Sequence, residues 1–255
     1  MGLTTSFSGA SLPVLITGGT RGIGFAIASA FADAGAAVTI TGTRASVEDY
    51  DNAAALSRFT YRRCRLDNAD EIDDLAASFD ELAVLVNNAG LSLPDGKDEY
   101  DPDVFARSLQ LNLVGPYRLT AACKRSLSAW ATTHPAASAS VVNIASMASL
   151  FGIEMVPGYS SAKSGLLGMT RTLAASWARN KIRVNAVAPG LIETDMTEPM
   201  LGFPAMVDPM LDRTPMRRVG VGAEVAPAVL FLCSDSAAFI TGAVLPVDGG
   251  YSAKG

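Results

Sequence analysis

The 255-residue sequence has few of the residues that disulfide frameworks and most metal sites use. Its three cysteines lie far apart, at positions 64, 123 and 233, and its single histidine, His134, is in a turn-like Thr-Thr-His-Pro stretch. An odd, scattered set of cysteines indicates buried, reduced thiols. We therefore expect no metal site, no histidine-dependent mechanism and a cytoplasmic location.

Charge and long apolar runs are also scarce. Charged residues make up 18% of the chain, and the net charge of −5 leaves no basic excess for nucleic acid or an anionic membrane. No apolar run approaches the roughly 20 residues that cross a bilayer. The first dozen residues have no basic segment typical of a secretory signal, so we expect residues 1–12 to form a flexible extension.

The remaining composition favours one globular domain, residues 13–255, because 49% of the residues are hydrophobic. Short β-rich runs alternate with longer helical patterns, which predicts an α/β fold with a parallel sheet and helices on both faces. The seven predicted strands are Val14–Thr17, Ala37–Thr41, Phe59–Leu66, Leu82–Asn87, Ser140–Ile144, Arg183–Ala188 and Ala243–Pro246. The predicted helices lie near 23–34, 46–57, 70–79, 102–131, 158–179 and 223–233.

Residues 190–220 interrupt this alternation. Four prolines, at 199, 204, 209 and 215, argue against one regular helix. The segment also contains five methionines with other apolar residues: Met196, Met200, Leu201, Phe203, Met206, Met210, Leu211 and Met216. Two interpretations are open: a pliable apolar lid over a substrate, or ordinary packing against the domain.

The first predicted strand leads into the glycine-rich turn Thr17–Gly24 and then a helix. Glycines in such a turn let the backbone approach a pyrophosphate at the positive end of the helix. Turns of this kind also occur without ligands, but the position after the first strand of an alternating chain favours a dinucleotide site.

The end of the second strand bears on which dinucleotide binds. Sites that prefer NAD usually place an acid there for the ribose 2′-OH, whereas this chain has Thr41-Gly42-Thr43-Arg44. Arg44 and Arg21 are candidates for a 2′-phosphate, which predicts NADP(H) with NAD(H) as the alternative. The competing interpretation of Arg44 is a solvated loop charge.

Tyr159 precedes Lys163 by four residues, so on a helix the two side chains share a face. A free phenol, with a pKa near 10, exchanges protons poorly at neutral pH. A positive charge ~4 Å away contributes ~4 kcal/mol at an effective dielectric of ~20, up to ~3 pKa units before desolvation. The pair therefore predicts a tyrosine acid/base with a lowered pKa, although such pairs also occur by chance.

Two further residues belong to this constellation. Ser146 follows a predicted strand, and Asn112 lies in a predicted helix four residues before Pro116. Because proline has no N–H, the carbonyl of Asn112 loses its usual helical partner and is free to hold a water that leads from Lys163 toward solvent.

Together these features resemble the short-chain dehydrogenase/reductase family in its small single-domain form, over Pro13 to Tyr251. The motifs that carry the resemblance are Thr17-Gly18-x-x-x-Gly22-x-Gly24, Asn87-Asn88-Ala89-Gly90, Asn112, the Ser146/Tyr159/Lys163 set with gaps of thirteen and four, Pro189-Gly190-x-x-x-Thr194 and Val247-Asp248-Gly249-Gly250. The resemblance implies a Rossmann-type doubly wound sheet, a nicotinamide cofactor and a homo-oligomer, tetramer or dimer. Helix faces such as Leu166, Met169/Thr170, Leu173 and Trp177 are candidates for its subunit contacts.

The resemblance also implies residue roles. Tyr159 would exchange the proton at the substrate oxygen, Ser146 would hydrogen-bond that oxygen, Lys163 would lower the tyrosine pKa and hold the nicotinamide ribose, and Asn112 would support the relay water. The implied cofactor contacts are Gly18, Arg21, Gly22, Ile23 and Gly24 for the phosphates, Asp67 and Asn68 for the adenine, Asn88, Ala89 and Gly90 for the adenine ribose, and Ile192 and Thr194 for the carboxamide.

For the substrate we expect a small, largely apolar ketone or secondary alcohol, with Phe151, Ile153 and Met155 as an apolar wall. The runner-up is a 3-oxoacyl-carrier-protein reductase, the most similar subgroup, which usually presents basic residues to an acidic carrier. The stretch from Ser126 to Ser140 contains no Lys or Arg, which counts against docking of an acidic carrier. A non-catalytic dinucleotide-binding scaffold and a methyltransferase are minor alternatives, because neither needs the Ser/Tyr/Lys set.

Overall fold

The computed structural model describes residues 12–93 and 96–254. The strands are β1 Pro13–Ile16, β2 Ala37–Gly42, β3 Thr60–Arg63, β4 Val84–Asn87, β5 Ala139–Ile144, β6 Ile182–Pro189, β7 Ile192–Glu193, β8 Gly220–Val221 and β9 Val244–Val247. The helices are α1 Gly22–Asp33, α2 Ala53–Leu56, α3 Ala69–Ala77, α4 Pro102–Leu109, α5 Gly115–Ala122, α6 Lys124–Thr133, α7 Pro157–Trp177, α8 Glu198–Leu201, α9 Pro204–Arg213 and α10 Gly222–Cys233.

Seven strands form one sheet in the order β3-β2-β1-β4-β5-β6-β9, and all neighbours are parallel. This confirms the predicted doubly wound α/β sheet. Every residue of β4, β5 and β6 is buried, as expected where helices cover both faces. The strand order reverses between β1 and β4, and in such folds a crevice opens there beyond the carboxyl ends of the strands.

The helix predicted at 46–57 is wrong over most of its length. A 3-10 turn at Val47–Asp49 and the short α2 replace it, because Tyr50 is extended, with φ −101° and ψ 142°. This conformation brings the Tyr50 hydroxyl within 3.3 Å of the Tyr61 hydroxyl on β3. The predicted 102–131 helix is also divided, into α4, a π-helical turn at Gln110–Val114, α5 and α6.

The α4 helix begins at 102, as predicted, and its start is stabilised by Asp101, which accepts a hydrogen bond from the Asp103 N–H at 2.8 Å, with Pro102 in the first turn. The π turn ends at Val114, two residues before Pro116. Pro116 has no N–H for an i−4 bond, and the Gly115 N–H instead bonds the Gln110 carbonyl, five residues back. The irregularity therefore surrounds Asn112.

A buried polar chain crosses the middle of the sheet. Asn87 on β4 donates to the Thr120 hydroxyl at 2.7 Å and to the Asn143 side chain at 2.8 Å. Asn143 on β5 in turn donates to the Thr170 hydroxyl at 2.8 Å. The chain links α5, two strands and α7 just below the carboxyl edge.

The cysteines Cys64, Cys123 and Cys233 are free and buried, as predicted. Burial raises the pKa of the thiols to about 11 for Cys64 and Cys233 and about 12 for Cys123. Across the described residues, no helix combines the length and apolarity needed to span a bilayer. The predicted extension 1–12 lies outside these residues except for Leu12, which is buried in the core.

The candidate subunit-contact stripe on α7 is largely internal. Leu166, Thr170, Leu173 and Trp177 are all buried within the chain, and Met169 is partly buried against the core. These side chains pack on the protein's own sheet, because they follow the apolar face of a helix that covers β6. Most of this stripe is therefore used within the chain, and only Met169 keeps partly exposed surface.

Candidate active site

The glycine-rich turn between β1 and α1 has the conformation that a phosphate cradle requires. Gly18 and Gly22 have φ of +63° and +53°, in the left-handed region that favours glycine. A Cβ on Gly24 would collide with the Gly18 carbonyl and the Asn88 amide. α1 carries no acidic residue in its first turn, so the positive end of its dipole is not neutralised. Ile23, in the first turn, is partly buried.

The segment after β4 lies against this turn. The Asn88 side-chain amide donates to the carbonyls of Thr17 and Gly18 at 2.9 and 3.0 Å. The Thr17 hydroxyl accepts from the N–H groups of Asn88 and Ala89, both at 3.0 Å. Asn88 and Ala89, predicted as cofactor contacts, therefore also fix the shape of the phosphate loop.

At the end of β2, the space beside Gly42 is filled by the Tyr50 side chain, and positively charged residues lie nearby. A Cβ on Gly42 would collide with the Tyr50 hydroxyl. Arg44 is exposed, lies with its guanidinium 4.7 Å from the centre of the Tyr50 ring, and donates to the Asp49 carbonyl. Arg63, which the sequence analysis did not single out, donates to the Thr43 carbonyl at 3.3 Å.

The predicted adenine contacts lie after β3. Asp67 accepts both bonds of a bidentate pair with Arg65, at 3.1 and 3.0 Å, which lowers the pKa of the carboxyl. Asn68 caps α3 by accepting from the N–H groups of Asp70 and Glu71 at 3.0 and 3.2 Å. A cavity of about 360 Å³ adjoins both residues and is lined also by Arg63, Arg65, Ala69 and Glu71.

Ser146 and Lys163 converge at the carboxyl end of β5. Ser146 is extended and accepts from the Ala148 N–H at 3.1 Å. Lys163 is only 3% exposed and donates from Nζ to the Ile144 carbonyl at 2.8 Å. Burial lowers the pKa of Lys163 to about 8.

Asn112 is fully buried in the π turn and holds the loop that follows β4. Its Oδ1 accepts from the Leu91 N–H at 3.0 Å, and its Nδ2 donates to the Leu91 and Ser108 carbonyls at 2.8 and 2.9 Å. A Cβ on Gly90 would lie 2.8 Å from Asn112 Oδ1 and 3.1 Å from Lys163 Nζ. The absence of a side chain at Gly90 therefore leaves room for the Asn112 and Lys163 side chains to lie close to the same backbone position.

Tyr159 lies in the first turn of α7, partly exposed, with its ring centre 5.5 Å from Lys163 Nζ. The expected lowering of its pKa by Lys163 is wrong for this structure. Burial raises the pKa of Tyr159, the interaction with Ser146 lowers it, and the charge of Glu99 raises it further. Desolvation is the largest of these three effects, and Lys163 Nζ itself donates to the Ile144 carbonyl.

Residues after β6 reach across to the phosphate loop. A Cβ on Gly22 would lie 3.2 Å from Thr194 Cγ2, and Ile192 is buried in β7. Arg21 forms an exposed ion pair with Asp195 at 2.9 Å. The 190–220 segment is irregular, as predicted, and this ion pair joins it to the loop.

One buried acid at this site escaped the sequence analysis. Glu99 is 0% exposed and accepts from the Tyr159 N–H at 2.8 Å. Its chain position, sixty residues from Tyr159 and outside any motif, gave no signal. Only the tertiary fold brings it to α7.

The residues present fit a nicotinamide dinucleotide. The cradle admits no Cβ at Gly24, the end of α1 is free of acids, and a cleft edge with exposed arginines leads away from it. Within the described residues, no cluster of His, Cys, Asp or Glu has the makings of a metal site. The arrangement places a phenol, a hydroxyl and a lysine beside a phosphate-binding turn.

Comparisons with known proteins agree with this geometry. A family model described as enoyl-(acyl carrier protein) reductase matches residues 18–252. A 3alpha-hydroxysteroid dehydrogenase of Mediterraneibacter gnavus is 32% identical over 92% of this chain and 94% of its own. A 3-oxoacyl-[acyl-carrier-protein] reductase of Chlamydia trachomatis is 34% identical over 92% of this chain and 95% of its own.

A solved structure, the active-site complex of Pseudomonas aeruginosa RhlG with NADP, superposes with a TM-score of 0.86 at 28% identity. The superposition covers 98% of this chain and 99% of that one. The matched family model and the relatives each span most of the chain and are dehydrogenases or reductases by name. The chain therefore belongs to the short-chain dehydrogenase/reductase family and is an oxidoreductase that uses a nicotinamide dinucleotide.

Proposed function

We propose that this oxidoreductase uses NADP(H) to interconvert a small, largely apolar ketone and its secondary alcohol, with Tyr159 as the general acid/base. The observation that carries the proposal is the convergence of Ser146, Tyr159 and Lys163 beside Gly90 and Asn112, next to the phosphate loop. This convergence supplies a proton donor, a hydroxyl for the substrate oxygen and a buried lysine in one cleft.

The chain's own residues handle the proton, and the chemistry that a dinucleotide would supply when bound is hydride transfer. In the direction of reduction, Tyr159 donates its proton to the substrate oxygen and Ser146 hydrogen-bonds that oxygen. Lys163, with a pKa of about 8, is largely protonated at neutral pH, and this pKa is close enough to neutral pH for the ammonium to exchange its proton. Asn112 supports the relay, because residue 116 is a proline and has no N–H to donate to the Asn112 carbonyl.

The end of β2 supports NADP(H) over NAD(H). A side chain at position 42 would collide with the Tyr50 hydroxyl, which would have to move, and Arg44 presents an exposed cation two residues further on. The phosphate-loop residue Arg21 adds a second exposed cation. The RhlG complex, which contains NADP, shows that a similar fold holds this dinucleotide.

An apolar wall and lid support an uncharged substrate. Phe151, five residues after Ser146, packs edge-on against Tyr251 at 5.5 Å. Arg213, at the end of α9, lies over both rings, 4.2 and 4.6 Å from their centres, and so connects the 190–220 segment to the wall. Met216 in that segment is 65% exposed, which leaves apolar surface for a lid. The hydroxysteroid dehydrogenase acts, by its name, on an alicyclic alcohol.

A 3-oxoacyl-carrier-protein reductase is the second candidate. The Chlamydia relative favours it by name, and the description of the family model names a different reaction, enoyl reduction, on the same kind of carrier. The segment Ser126–Ser140, which leads from α6 into β5, contains no Lys or Arg that would receive an acidic carrier. We therefore place free ketones first.

The cofactor part of the proposal is tested by titrating the protein with NADPH and with NADH while nicotinamide fluorescence is recorded. Arg44→Ala should weaken NADPH about tenfold, the effect of one lost charge-assisted phosphate contact, and NADH less than twofold. Arg179→Ala is the matched control, because Arg179 is exposed just before β6, at the amino ends of the strands and away from the carboxyl ends where the phosphate loop lies. Tighter binding of NADH than NADPH by the unmodified protein would contradict the assignment.

The substrate part is tested with a panel under NADPH: cyclohexanone, 1-decalone and acetoacetyl-CoA as a carrier mimic. Faster turnover of the free ketones supports the proposal, whereas a preference for acetoacetyl-CoA moves the second candidate to first place. Tight cofactor binding without turnover of any member would favour a dinucleotide-binding scaffold.

A further inference from the structure

We propose that Glu99 is a positioning residue for both Tyr159 and Asn112. It caps the N-terminus of α7 from a distant part of the chain, and it reaches Asn112 through a hydrogen-bond chain that includes Ser108. The proposal rests on the catalytic roles proposed above for Tyr159 and Asn112. It concerns an acid that lies outside every motif of the sequence and in none of the predicted site residues.

The first arm of the proposal is the cap. α7 begins at Pro157, its N-cap residue Val156 offers no side-chain acceptor, and its first turn contains no acid. Glu99 Oε2 supplies the missing acceptor by taking the Tyr159 N–H at 2.8 Å. The bonded N–H belongs to Tyr159 itself, so the carboxylate fixes the backbone that carries the phenol.

The second arm runs to Asn112. Glu99 Oε1 accepts from the Ser108 hydroxyl at 3.2 Å, and the Ser108 oxygen accepts from Asn112 Nδ2 at 3.3 Å. Because the Ser108 proton points to Glu99, the hydroxyl oxygen is left to receive the asparagine. Asn112 Nδ2 also donates to the Leu91 and Ser108 carbonyls at 2.8 and 2.9 Å, and the Ser108 hydroxyl adds a third, longer contact through which Glu99 supports the side chain that holds Leu91.

The chemistry of the pocket calls for an acid. Glu99 meets three donors, the N–H groups of Leu93 and Tyr159 and the Ser108 hydroxyl, and is 0% exposed. A carboxylate only accepts, so it satisfies all three. A glutamine with its oxygen toward Tyr159 would turn its NH₂ toward the Leu93 N–H. Two donors would then face each other, and the Leu93 N–H would lose its acceptor.

The position has an electrostatic consequence as well. Two charged groups lie against Tyr159: Lys163 on the same helix and Glu99 across the loop. The charge of Glu99 raises the pKa of the phenol. A residue that only braced the fold would have no such effect, and this difference supplies the readout of the test.

The test compares Glu99→Gln with the unmodified protein and with Glu154→Gln. Glu154 is the matched control, since it is exposed on the segment that leads into α7. Two quantities are measured: kcat against pH with the best ketone of the panel, and the ionisation of Tyr159 by ultraviolet difference titration against Tyr159→Phe in the absence of cofactor.

We expect Glu99→Gln to lower kcat about tenfold or more, to change the Kd for NADPH less than twofold, and to shift Tyr159 ionisation to lower pH. Glu154→Gln should leave all three unchanged. An unchanged kcat, or a loss of kcat with Tyr159 ionisation unmoved, overturns the proposal. Should Glu99→Gln fail to fold, Ser108→Ala carries the test of the second arm: lower kcat at unchanged NADPH affinity supports it, and unchanged kcat overturns it.

The result separates this inference from the proposed function. If Tyr159→Phe retains full activity, the assignment of the acid/base fails and the inference fails with it. If Tyr159→Phe is inactive while Glu99→Gln behaves like the unmodified protein, only the inference fails.

Discussion

The two ends of the cofactor cleft are held in opposite ways. At the nicotinamide end, the proposed catalytic residues Asn112 and Lys163 are buried and bonded to main-chain carbonyls. At the adenosine end, the arginines form exposed pairs, such as Arg21 with Asp195 and Arg65 with Asp67. Buried groups cannot rearrange without leaving polar atoms unsatisfied, whereas exposed pairs contribute little and exchange partners readily. Mutations at the first end should therefore affect chemistry, and mutations at the second should affect cofactor choice.

The largest effect is expected from Tyr159→Phe, which removes the phenol and leaves the ring. Loss of a general acid/base lowers turnover by about 10²–10⁴, so kcat with NADPH and the best ketone should fall by about 10³ while NADPH affinity is retained. Tyr117→Phe is the control, because Tyr117 is 51% exposed. A Tyr159→Phe enzyme within tenfold of the unmodified one would contradict the assignment.

The second prediction concerns stability and Lys163, whose pKa falls from 10.5 to about 8 on burial. Between these values the unfolded chain binds a proton that the folded one has released, so this group makes the protein more stable as pH rises. Relative to Lys163→Met, the unmodified protein should gain about 2 kcal/mol in free energy of unfolding between pH 7.5 and 9.5. Denaturant titrations of both proteins measure this difference, and parallel curves would show that Lys163 is not buried as described.

The third prediction moves to the adenosine end. Thr43 is exposed beside Arg44, and an acid there would repel a 2′-phosphate while accepting from a 2′-OH. Thr43→Asp should raise the KM for NADPH about tenfold and leave the KM for NADH equal or lower. Thr43→Asn has the same size without the charge, and an equal change in that variant would indicate a steric cause.

The smallest effect is expected from Asp195→Asn. The Arg21–Asp195 pair has side-chain exposures of 68% and 56%, so its loss should change the free energy of unfolding by less than about 1 kcal/mol. Release of Arg21 should tighten NADPH binding about twofold at low salt and leave it unchanged at high salt. A tighter Kd that persists at high salt would point to a lid contact in place of the ion pair.

For the nicotinamide end, the sequence predicts which residues form the site better than it predicts their environment. Strand and helix alternation predicted the seven-stranded sheet, because buried parallel strands are continuous apolar runs. The motif spacing indicated that Ser146, Tyr159 and Lys163 belong to one site. It did not predict that burial would raise the Tyr159 pKa, because desolvation depends on the whole fold around the phenol.

Long-range partners explain the remaining differences. Glu99 escaped notice because its bond to α7 joins residues sixty positions apart. Residues 46–57 were predicted as a helix from local pattern, but the contact of Tyr50 with Tyr61 on β3 overrides local preference. The adenosine end therefore depends on cross-strand contacts that a single sequence does not display.

The π turn at Gln110–Val114 bears on how this part of the chain tolerates insertions and deletions. A π turn accommodates one residue more than the regular helix would, and each helical residue rotates the following side chains by about 100°. Deleting one residue between 110 and 114 would remove the extra residue of the π turn and rotate Asn112 or the face of α5 away from its present partners. This short segment is therefore the place where the chain's length, more than its composition, is constrained.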